Sequence, residues 1–234
     1  MNTFVLIPVK KLSEAKKRLS KVLDDKERVR IVVAMLWDVL KAVVESDFVD
    51  NIVVLGSDEA VRKMAEAFGA TFLEDPGGGL NEALSYGTDW CVRQGAKGVL
   101  IIPSDIPLIT SEDVDGIVSM GVDERCVVIS PSHDMGTNAL LRRPPKVIST
   151  MFGVRSVNAH IKAARKKRIP LYVYNSWRLS VDVDDPPDLR FVLEKGVGTQ
   201  THRLMKETSI YRKLEKVGAL QLLRIDVSPP MDLG

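Results

Sequence analysis

Short apolar strands alternate with amphipathic helices along the first half of this chain, and this alternation constrains the fold more than any other feature. Apolar runs at residues 3–9, 51–56 and 98–102 are each followed, directly or after a loop, by a segment whose apolar residues recur at helical spacing. Parallel strands that are buried on both faces need such crossover helices. The pattern therefore predicts a parallel sheet.

The second half of the chain predicts a less regular order of elements. Strands are expected at 126–130, 137–142, 170–174 and 178–183, and helices at 156–167 and from Pro186 to Glu194. We therefore predict an α/β fold with a Rossmann-like, doubly wound, mostly parallel sheet and an antiparallel insertion.

Composition excludes several classes of protein. The 234 residues carry 33 basic and 31 acidic side chains, a balance that gives no overall field to attract nucleic acid. Cys91 and Cys126 stand alone, which predicts neither a zinc site nor a disulfide and indicates a reducing compartment. No apolar run is long enough to cross a bilayer, so we expect a cytoplasmic protein with no membrane or nucleic-acid partner.

The glycines around residues 196–199 mark the candidate domain boundary. We predict a main domain over residues 1–195 and a C-terminal extension over 196–234 that packs on it or on a second subunit. The extension is expected to contain a helix at 201–217 and a strand-like segment at 220–227.

The loop after the first strand is strongly basic. Lys10, Lys16 and Arg18 belong to a group of six cations between residues 10 and 21. Ligands of open α/β sheets collect beyond the carboxyl ends of the strands, so these cations suit a polyphosphate. The loop lacks the glycines of a P-loop or dinucleotide fingerprint, and a solvated basic loop is nearly as good an explanation.

Two further loops carry distinctive residues. The glycines at 77–79 precede a helix and would let a base or phosphate approach the backbone, although a plain turn with Asn81 as the helix cap is an equal alternative. Asp105 stands between Pro103 and Pro107, whose rigid φ angles fix its direction. This setting favours a ligand of a hard cation over a solvated acid.

An acidic segment follows at residues 182–188. On extended backbone Asp182 and Asp184 face the same side, while the valines beside them face the core. Like charges held together cost energy unless a cation neutralises them, so metal binding and a solvated acidic loop remain equal alternatives. Asp185 is expected to cap the following helix.

The histidines differ in their setting. His160 follows Ser156 by one helical turn, so both can face one pocket, although a packed histidine is the favoured alternative. His133 and His202 lie in polar surroundings and are expected at the surface.

In order and spacing, these motifs together resemble the 2-phospho-L-lactate guanylyltransferase family, which serves the synthesis of the deazaflavin coenzyme F420. The resemblance spans residues 3 to about 195 and rests on Ile7–Lys10, Ala15–Ser20, Gly79–Asn81, Pro103–Leu108, Gly136–Leu140, Gly153–Ser156 with His160, and Asp182–Leu189. It implies a nucleotidyltransferase domain of the nucleotide-diphospho-sugar transferase type, related to the molybdenum-cofactor guanylyltransferases. The Gly-x-Gly loop common in nucleotidyltransferases is replaced here by the glycine-free basic loop.

The resemblance also implies a reaction and a set of residues. GTP and 2-phospho-L-lactate would give lactyl-2-diphospho-5′-guanosine and pyrophosphate, with Mg²⁺ as cofactor and a homodimer as the assembly. Lys16, Arg18 and Asp105 would act in catalysis, and Mg²⁺ would be held by Asp105 with Asp182 or Asp184. The nucleotide would contact Pro8, Lys10, Leu80, Asn81 and Pro103. The phosphorylated three-carbon acid would contact Thr137, Asn138, Gly153 and Ser156.

Other functions stay open at this stage. The nucleotide could be transferred to phosphoenolpyruvate or molybdopterin instead. From a different class, a nucleotide-binding module of the same fold could regulate a partner without turnover, although the intact carboxylates argue against it.

Overall fold

A single sheet organises the computed structural model, which describes residues 2–217. Its strands are β1 (Thr3–Pro8), β2 (Asn51–Gly56), β3 (Thr71–Glu74), β4 (Gly98–Ile101), β5 (Cys126–Pro131), β6 (Thr137–Arg143) and β7 (Leu171–Val173). They are ordered β3-β2-β1-β4-β6-β5-β7, and within these residues only β6 runs antiparallel to its neighbours. The predicted doubly wound sheet with an antiparallel insertion is therefore confirmed.

Helices cover both faces of this sheet. They are α1 (Asp25–Val44), α2 (Glu59–Ala67), α3 (Leu80–Arg93), α4 (Ser111–Met120), α5 (Ser156–Lys166), α6 (Pro186–Lys195), α7 (Gln200–Glu207) and α8 (Ile210–Val217). Within the described residues, none of them is both long and apolar enough to cross a membrane. The helix predicted at 201–217 is wrong in one respect, because Thr208 and Ser209 divide it into α7 and α8.

The central strands explain the two layers of core. Along β1, Val5 and Ile7 pack in the cluster that contains α1, whereas Phe4 and Leu6 pack in the cluster that contains α3. Successive side chains of a strand point to opposite faces, so a continuous apolar run fills both layers. All four of these residues are buried.

The direction of β6 positions the site. In its antiparallel pairing with β4, Ile101 lies opposite Leu140. The first residues of β6, Thr137 and Asn138, therefore lie at the edge where β4 ends and its chain continues to Asp105. A parallel strand in the same place would have put its carboxyl end there instead.

The strand predicted at 178–183 is wrong, because this segment forms a turn and an extended loop. Leu179, Val181 and Val183 are almost completely buried, as the alternating pattern requires. The backbone, however, bonds to other loops: the amide of Val183 donates to the carbonyl of Asp105 at 2.9 Å, and that of His133 donates to Ser180 at 2.9 Å. The alternation of apolar and polar residues specifies an extended chain with one buried face. It does not determine whether a neighbouring strand is there to pair with that chain.

The first C-terminal helix is attached to α1 by a buried carboxylate. Asp38 accepts hydrogen bonds from the amides of Gln200 and Thr201 at 2.6 and 2.9 Å and from the Thr201 hydroxyl at 2.6 Å. These bonds satisfy amides at the start of α7, which have no partner within the helix. The domain division at residue 196 stays a prediction, and the strand-like segment predicted at 220–227 lies outside the described residues.

Candidate functional site

The basic loop after β1 is folded onto the core. It forms two short 3-10 turns, Leu12–Glu14 and Lys17–Lys21, and buries Leu12 and Leu19. The carboxylate of Asp58, after β2, accepts from the amide of Leu12 at 3.0 Å. The backbone at Lys16, between the turns, has a φ of 52°, and its side chain reaches inward. The loop therefore presents this lysine from a fixed position.

Lys16 bridges two of the predicted carboxylates. Its Nζ donates to Asp105 Oδ2 at 2.5 Å and to Asp184 Oδ1 at 2.8 Å. Burial lowers the pKa of Lys16, but the two carboxylates outweigh that effect and raise it above its ordinary value. The lysine is therefore a permanent cation at the carboxyl edge of the sheet.

Asp182 lies beside this group and is oriented from β6. Its Oδ1 accepts from Asn138 Nδ2 at 3.2 Å, and the same amide donates to the carbonyl of Leu179 at 2.8 Å. Burial and the nearby charges of Asp105 and Asp184 raise the pKa of Asp182. Three carboxylates from two distant parts of the sequence therefore share one electrostatic environment.

The fit of this cluster to a cation is partial. Oδ1 of Asp105 is buried and has no hydrogen-bond partner among the described residues, so it offers a free ligand atom. However, no three carboxylate, thiol or imidazole groups of the described chain come together as a ready ligand set. Mg²⁺ commonly takes one or two protein carboxylates and completes its shell with phosphate and water, which these residues would allow. The metal roles of Asp105, Asp182 and Asp184 stay predictions.

The remaining acids of this segment have structural roles. Asp185 accepts from the amide of Asp188 at 3.3 Å and caps α6, as predicted. Asp188 in turn accepts from the amides of Asp184 and Asp185 at 2.9 and 3.0 Å. This capping box fixes the backbone that carries Asp184.

A second cluster, the hydroxyl cluster of Thr137, Ser156 and His160, lies at the start of β6 and α5. Thr137 Oγ1 is 2.8 Å from Ser156 Oγ and 3.2 Å from His160 Nδ1, and all three side chains are buried. The amide of Met151 donates to His160 Nε2 at 3.0 Å. Burial and, to a lesser extent, the charge of Arg142 lower the pKa of His160 to about 4, so the ring is neutral. His160 is thus a packed histidine, and it and Ser156 both contact Thr137.

The segment before α5 leaves space for a ligand. Gly153 has a φ of 150°, and a Cβ added there would meet no atom within 4 Å. The first amides of the helix are in use, since Ser156 donates to the Gly153 carbonyl and Val157 donates to Met135, both at 3.2 Å. These two amides therefore already have backbone acceptors.

The glycine loop is joined to the same segment by Asn81. Its Nδ2 donates to the Phe152 carbonyl at 2.9 Å, and its Oδ1 accepts from the Phe152 amide at 2.8 Å. The helix cap is Gly79, with a φ of 101° and open space where a Cβ would stand. The alternative of Asn81 as the cap is therefore wrong. Asn81 holds the loop that is predicted to bind the nucleotide against the segment that is predicted to bind the phosphorylated acid.

The other predicted residues lie at the same edge with fewer contacts. Lys10 and Arg18 are exposed, and Pro8 and Pro103 are half-buried at the ends of β1 and β4. Leu80, the first residue of α3, exposes 47% of its surface beside the glycines. Their roles in binding and catalysis stay predictions.

Sequence reasoning missed the partners that organise these groups. The main-chain contacts of Met151 and Phe152 leave no trace in local sequence. Arg142 is also buried, donates to the Ile148 carbonyl and to Thr88 Oγ1, and has no salt bridge among the described residues. The position of this arginine within an apolar strand can be recognised in the sequence. It indicates a functional or structural role, because burying a charge costs free energy unless partners compensate it.

Comparison with known proteins adds the family context. A family model described as "Guanylyl transferase CofC like" matches residues 3–227. A phosphoenolpyruvate guanylyltransferase of Roseiflexus sp. (strain RS-1) is 37% identical over 96% of this chain and 97% of its own length. A 2-phospho-L-lactate guanylyltransferase of Methanothermobacter thermautotrophicus is also 37% identical, over 88% of this chain and 91% of the relative.

Solved structures show the same fold at low sequence identity. A protein described as a nucleotide-diphospho-sugar transferase from Desulfovibrio desulfuricans G20 superposes with a TM-score of 0.76 at 19% identity, over 92% of this chain and 98% of that one. A CMP:2-keto-3-deoxy-manno-octonic acid synthetase gives a TM-score of 0.58 at 12% identity, over 89% of this chain and all of the other. The fold is therefore that of the nucleotide-diphospho-sugar transferases.

Proposed function

The chain belongs to the CofC-like guanylyl transferase family, and we propose that it joins GTP to 2-phospho-L-lactate in the synthesis of coenzyme F420. The products would be lactyl-2-diphospho-5′-guanosine and pyrophosphate. One observation carries the proposal: β6 begins between the charged cluster of Lys16, Asp105, Asp182 and Asp184 and the neutral hydroxyl cluster. Asn138 bonds to Asp182 in the first cluster, and Thr137 bonds to Ser156 in the second. Such a site can hold a triphosphate and a small acid side by side.

The charged cluster would receive the triphosphate. In the reaction an oxygen of the acceptor phosphate forms a bond to the α-phosphorus of GTP, and the bond from that phosphorus to the β-bridging oxygen breaks. The leaving pyrophosphate takes the electron pair and gains negative charge, which Lys16 and Arg18 would stabilise. No side-chain nucleophile is needed.

Asp105 would hold Mg²⁺ with Asp182 or Asp184. When bound, the ion would lower the repulsion between the anionic acceptor and the α-phosphate. Oδ1 of Asp105, which is buried and has no hydrogen-bond partner in the described part of the chain, supports this assignment. Asn138 would keep the Asp182 carboxylate turned towards the same point.

The nucleoside would lie over the glycine loop. Gly79 leaves its backbone open to a ligand, and Leu80 offers exposed apolar surface beside it for the face of a base. Asn81 would act here by fixing the loop to Phe152. Lys10, Pro8 and Pro103 would also contact the nucleotide.

The hydroxyl cluster would receive the acid. The open space at Gly153 admits a compact ligand, and the Thr137–Ser156 pair offers hydroxyls to a carboxylate or phosphate. The positive charge of buried Arg142, which lowers the pKa of His160, would favour an anion in the same region.

Phosphoenolpyruvate is the second candidate acceptor. Relatives from Roseiflexus and Sphaerobacter thermophilus named phosphoenolpyruvate guanylyltransferases are 37% and 38% identical to this chain, as similar as the methanogen relative named for 2-phospho-L-lactate. Both acids are three-carbon phosphates, so the two clusters suit either.

A comparison of the two acids as substrates tests the proposal. Purified protein is incubated with GTP, Mg²⁺ and either 2-phospho-L-lactate or phosphoenolpyruvate, and pyrophosphate release and kcat/KM are measured for each. Release with 2-phospho-L-lactate at the higher kcat/KM is the expected result, and the reverse preference would select phosphoenolpyruvate. No release with either acid would contradict the proposal. Omission of Mg²⁺ and replacement of GTP by ATP or CTP are the matched controls.

The assembly and the compartment are also part of the proposal. We propose a homodimer, which light scattering of the purified chain would detect, and a cytoplasmic location, which fractionation of the source cells would test.

A further inference from the structure

His160 is a buried titratable group that makes no contact with the charged cluster. It bonds directly to Thr137, which we propose binds the phosphorylated acid. Its ring lies between the Met151 amide and Thr137 Oγ1, at 3.0 and 3.2 Å. An amide nitrogen can only donate, so Nε2 of the neutral ring must accept from Met151. The ring proton is therefore on Nδ1 and is donated to Thr137.

The tautomer of His160 determines how many hydroxyl hydrogens of the cluster remain available to a ligand. Thr137 and Ser156 together carry two hydroxyl hydrogens, and the 2.8 Å bond between them uses one. Because His160 donates its own hydrogen to Thr137, the second hydroxyl hydrogen is left over. With the opposite tautomer, Nδ1 would accept that hydrogen and none would remain.

The surroundings favour an anion as the recipient of that hydrogen. The first amides of α5 already donate to Gly153 and Met135, so backbone donors there do not compete. Phosphate and carboxylate oxygens only accept hydrogen bonds and match a single surplus donor. Gly153 leaves the adjacent space open.

We propose that His160 is a positioning residue for the acceptor: by donating Nδ1–H to Thr137 it keeps one hydroxyl hydrogen of the Thr137–Ser156 pair available to an oxyanion of the phosphorylated acid. This inference rests on the proposed function, because it assumes that the acid binds at the hydroxyl cluster. His160 itself does not touch the acid and transfers no proton.

Two substitutions separate this role from simple packing. In His160→Asn the side-chain amide lies near the position of Nδ1 and can still donate to Thr137, but it cannot reach Met151. In His160→Gln the amide oxygen lies near the position of Nε2 and can accept from Met151, but the donor to Thr137 is lost. The proposal predicts that KM for 2-phospho-L-lactate stays within about threefold of wild type in His160→Asn and rises about tenfold in His160→Gln, the effect of one lost hydrogen bond. KM for GTP should be unchanged in both.

A role limited to holding Met151 predicts the opposite order, and equal effects in both variants would also overturn the proposal. His202→Asn, on α7 and away from the hydroxyl cluster, is the matched control. Thermal melting of each variant shows whether it is folded.

A spectroscopic measurement makes the test independent of turnover. In wild-type protein, ¹⁵N NMR of the histidine rings should show His160 neutral with its proton on Nδ1, and a proton on Nε2 would overturn the proposal even if every variant fails to fold. If the NMR result is as expected but wild type releases no pyrophosphate with either acid, the proposed function fails while the assigned tautomer stands.

Discussion

The two clusters at the start of β6 differ in how they are stabilised. The charged cluster joins Lys16, Asp105 and Asp184 across a half-exposed edge, and one buried carboxylate oxygen has no hydrogen-bond partner within residues 2–217. The hydroxyl cluster is buried and neutral, and its polar atoms bond to one another. Like charges can be held together only with counterions, whereas neutral groups need only matched donors and acceptors. Changes in the charged cluster should therefore affect catalysis through electrostatics, and changes in the hydroxyl cluster should affect acceptor binding.

The largest effect is expected for Asp105→Asn in the charged cluster. The amide keeps the shape of the side chain but removes the charge that would hold Mg²⁺. We expect kcat to fall about 10²-fold or more, with little change in melting temperature. Turnover near that of wild type at limiting Mg²⁺ would show that Asp105 does not hold the ion.

Lys16→Ala tests the cation of the same cluster. If this buried ammonium binds the triphosphate as proposed, its loss should reduce kcat/KM for GTP about 30-fold, or about 2 kcal/mol. Arg18→Ala is the matched comparison: Arg18 is exposed, so its loss should cost only about threefold and less at high salt. Unchanged kinetics in Lys16→Ala would show that the role of Lys16 is purely structural.

Thr137→Val tests the hydroxyl cluster with a side chain of the same shape. We expect KM for the acid to rise about tenfold because one hydroxyl is lost and the bond from His160 is unmade. Binding of a non-hydrolysable GTP analogue, measured by calorimetry, should be nearly unchanged. A loss of GTP affinity with a constant acceptor KM would mean that the two clusters have been assigned to the wrong substrates.

The smallest effect concerns the neutral state of His160 and is measured as stability. Burial lowers its pKa in the folded protein to about 4, so the unfolded chain binds more protons below the ordinary value of 6.5. The free energy of unfolding should therefore fall as pH drops through 6.5 towards 4, with a loss of about 0.8 kcal/mol between pH 7.5 and pH 6.

Urea unfolding of wild type and His160→Asn at pH 7.5 and pH 6 measures this contribution, because groups shared by both proteins cancel in the comparison. Parallel losses in the two proteins would show that His160 is not the titrating group.

The two clusters also differ in how far they could be predicted. Asp105 between two prolines, the pair Asp182 and Asp184, and the basic loop were each visible in the sequence as polar groups after apolar segments. That Lys16 would bridge Asp105 and Asp184 was not visible, because 89 and 168 residues separate it from these partners. Ser156 and His160 were predicted to face one pocket, since one helical turn separates them.

The sequence by itself determined the alternation of strands and helices, the capping of α6 by Asp185 and the presence of residue types suited to phosphate. These features depend on neighbours within a few positions, where periodicity and capping apply. Only the tertiary structure decided that residues 178–183 form no strand, that Asn81 bonds to Phe152 and that Asp38 accepts hydrogen bonds from the first amides of α7. The same is true of the His160 tautomer, because each of these outcomes depends on a hydrogen-bond partner brought close by the folding of distant segments.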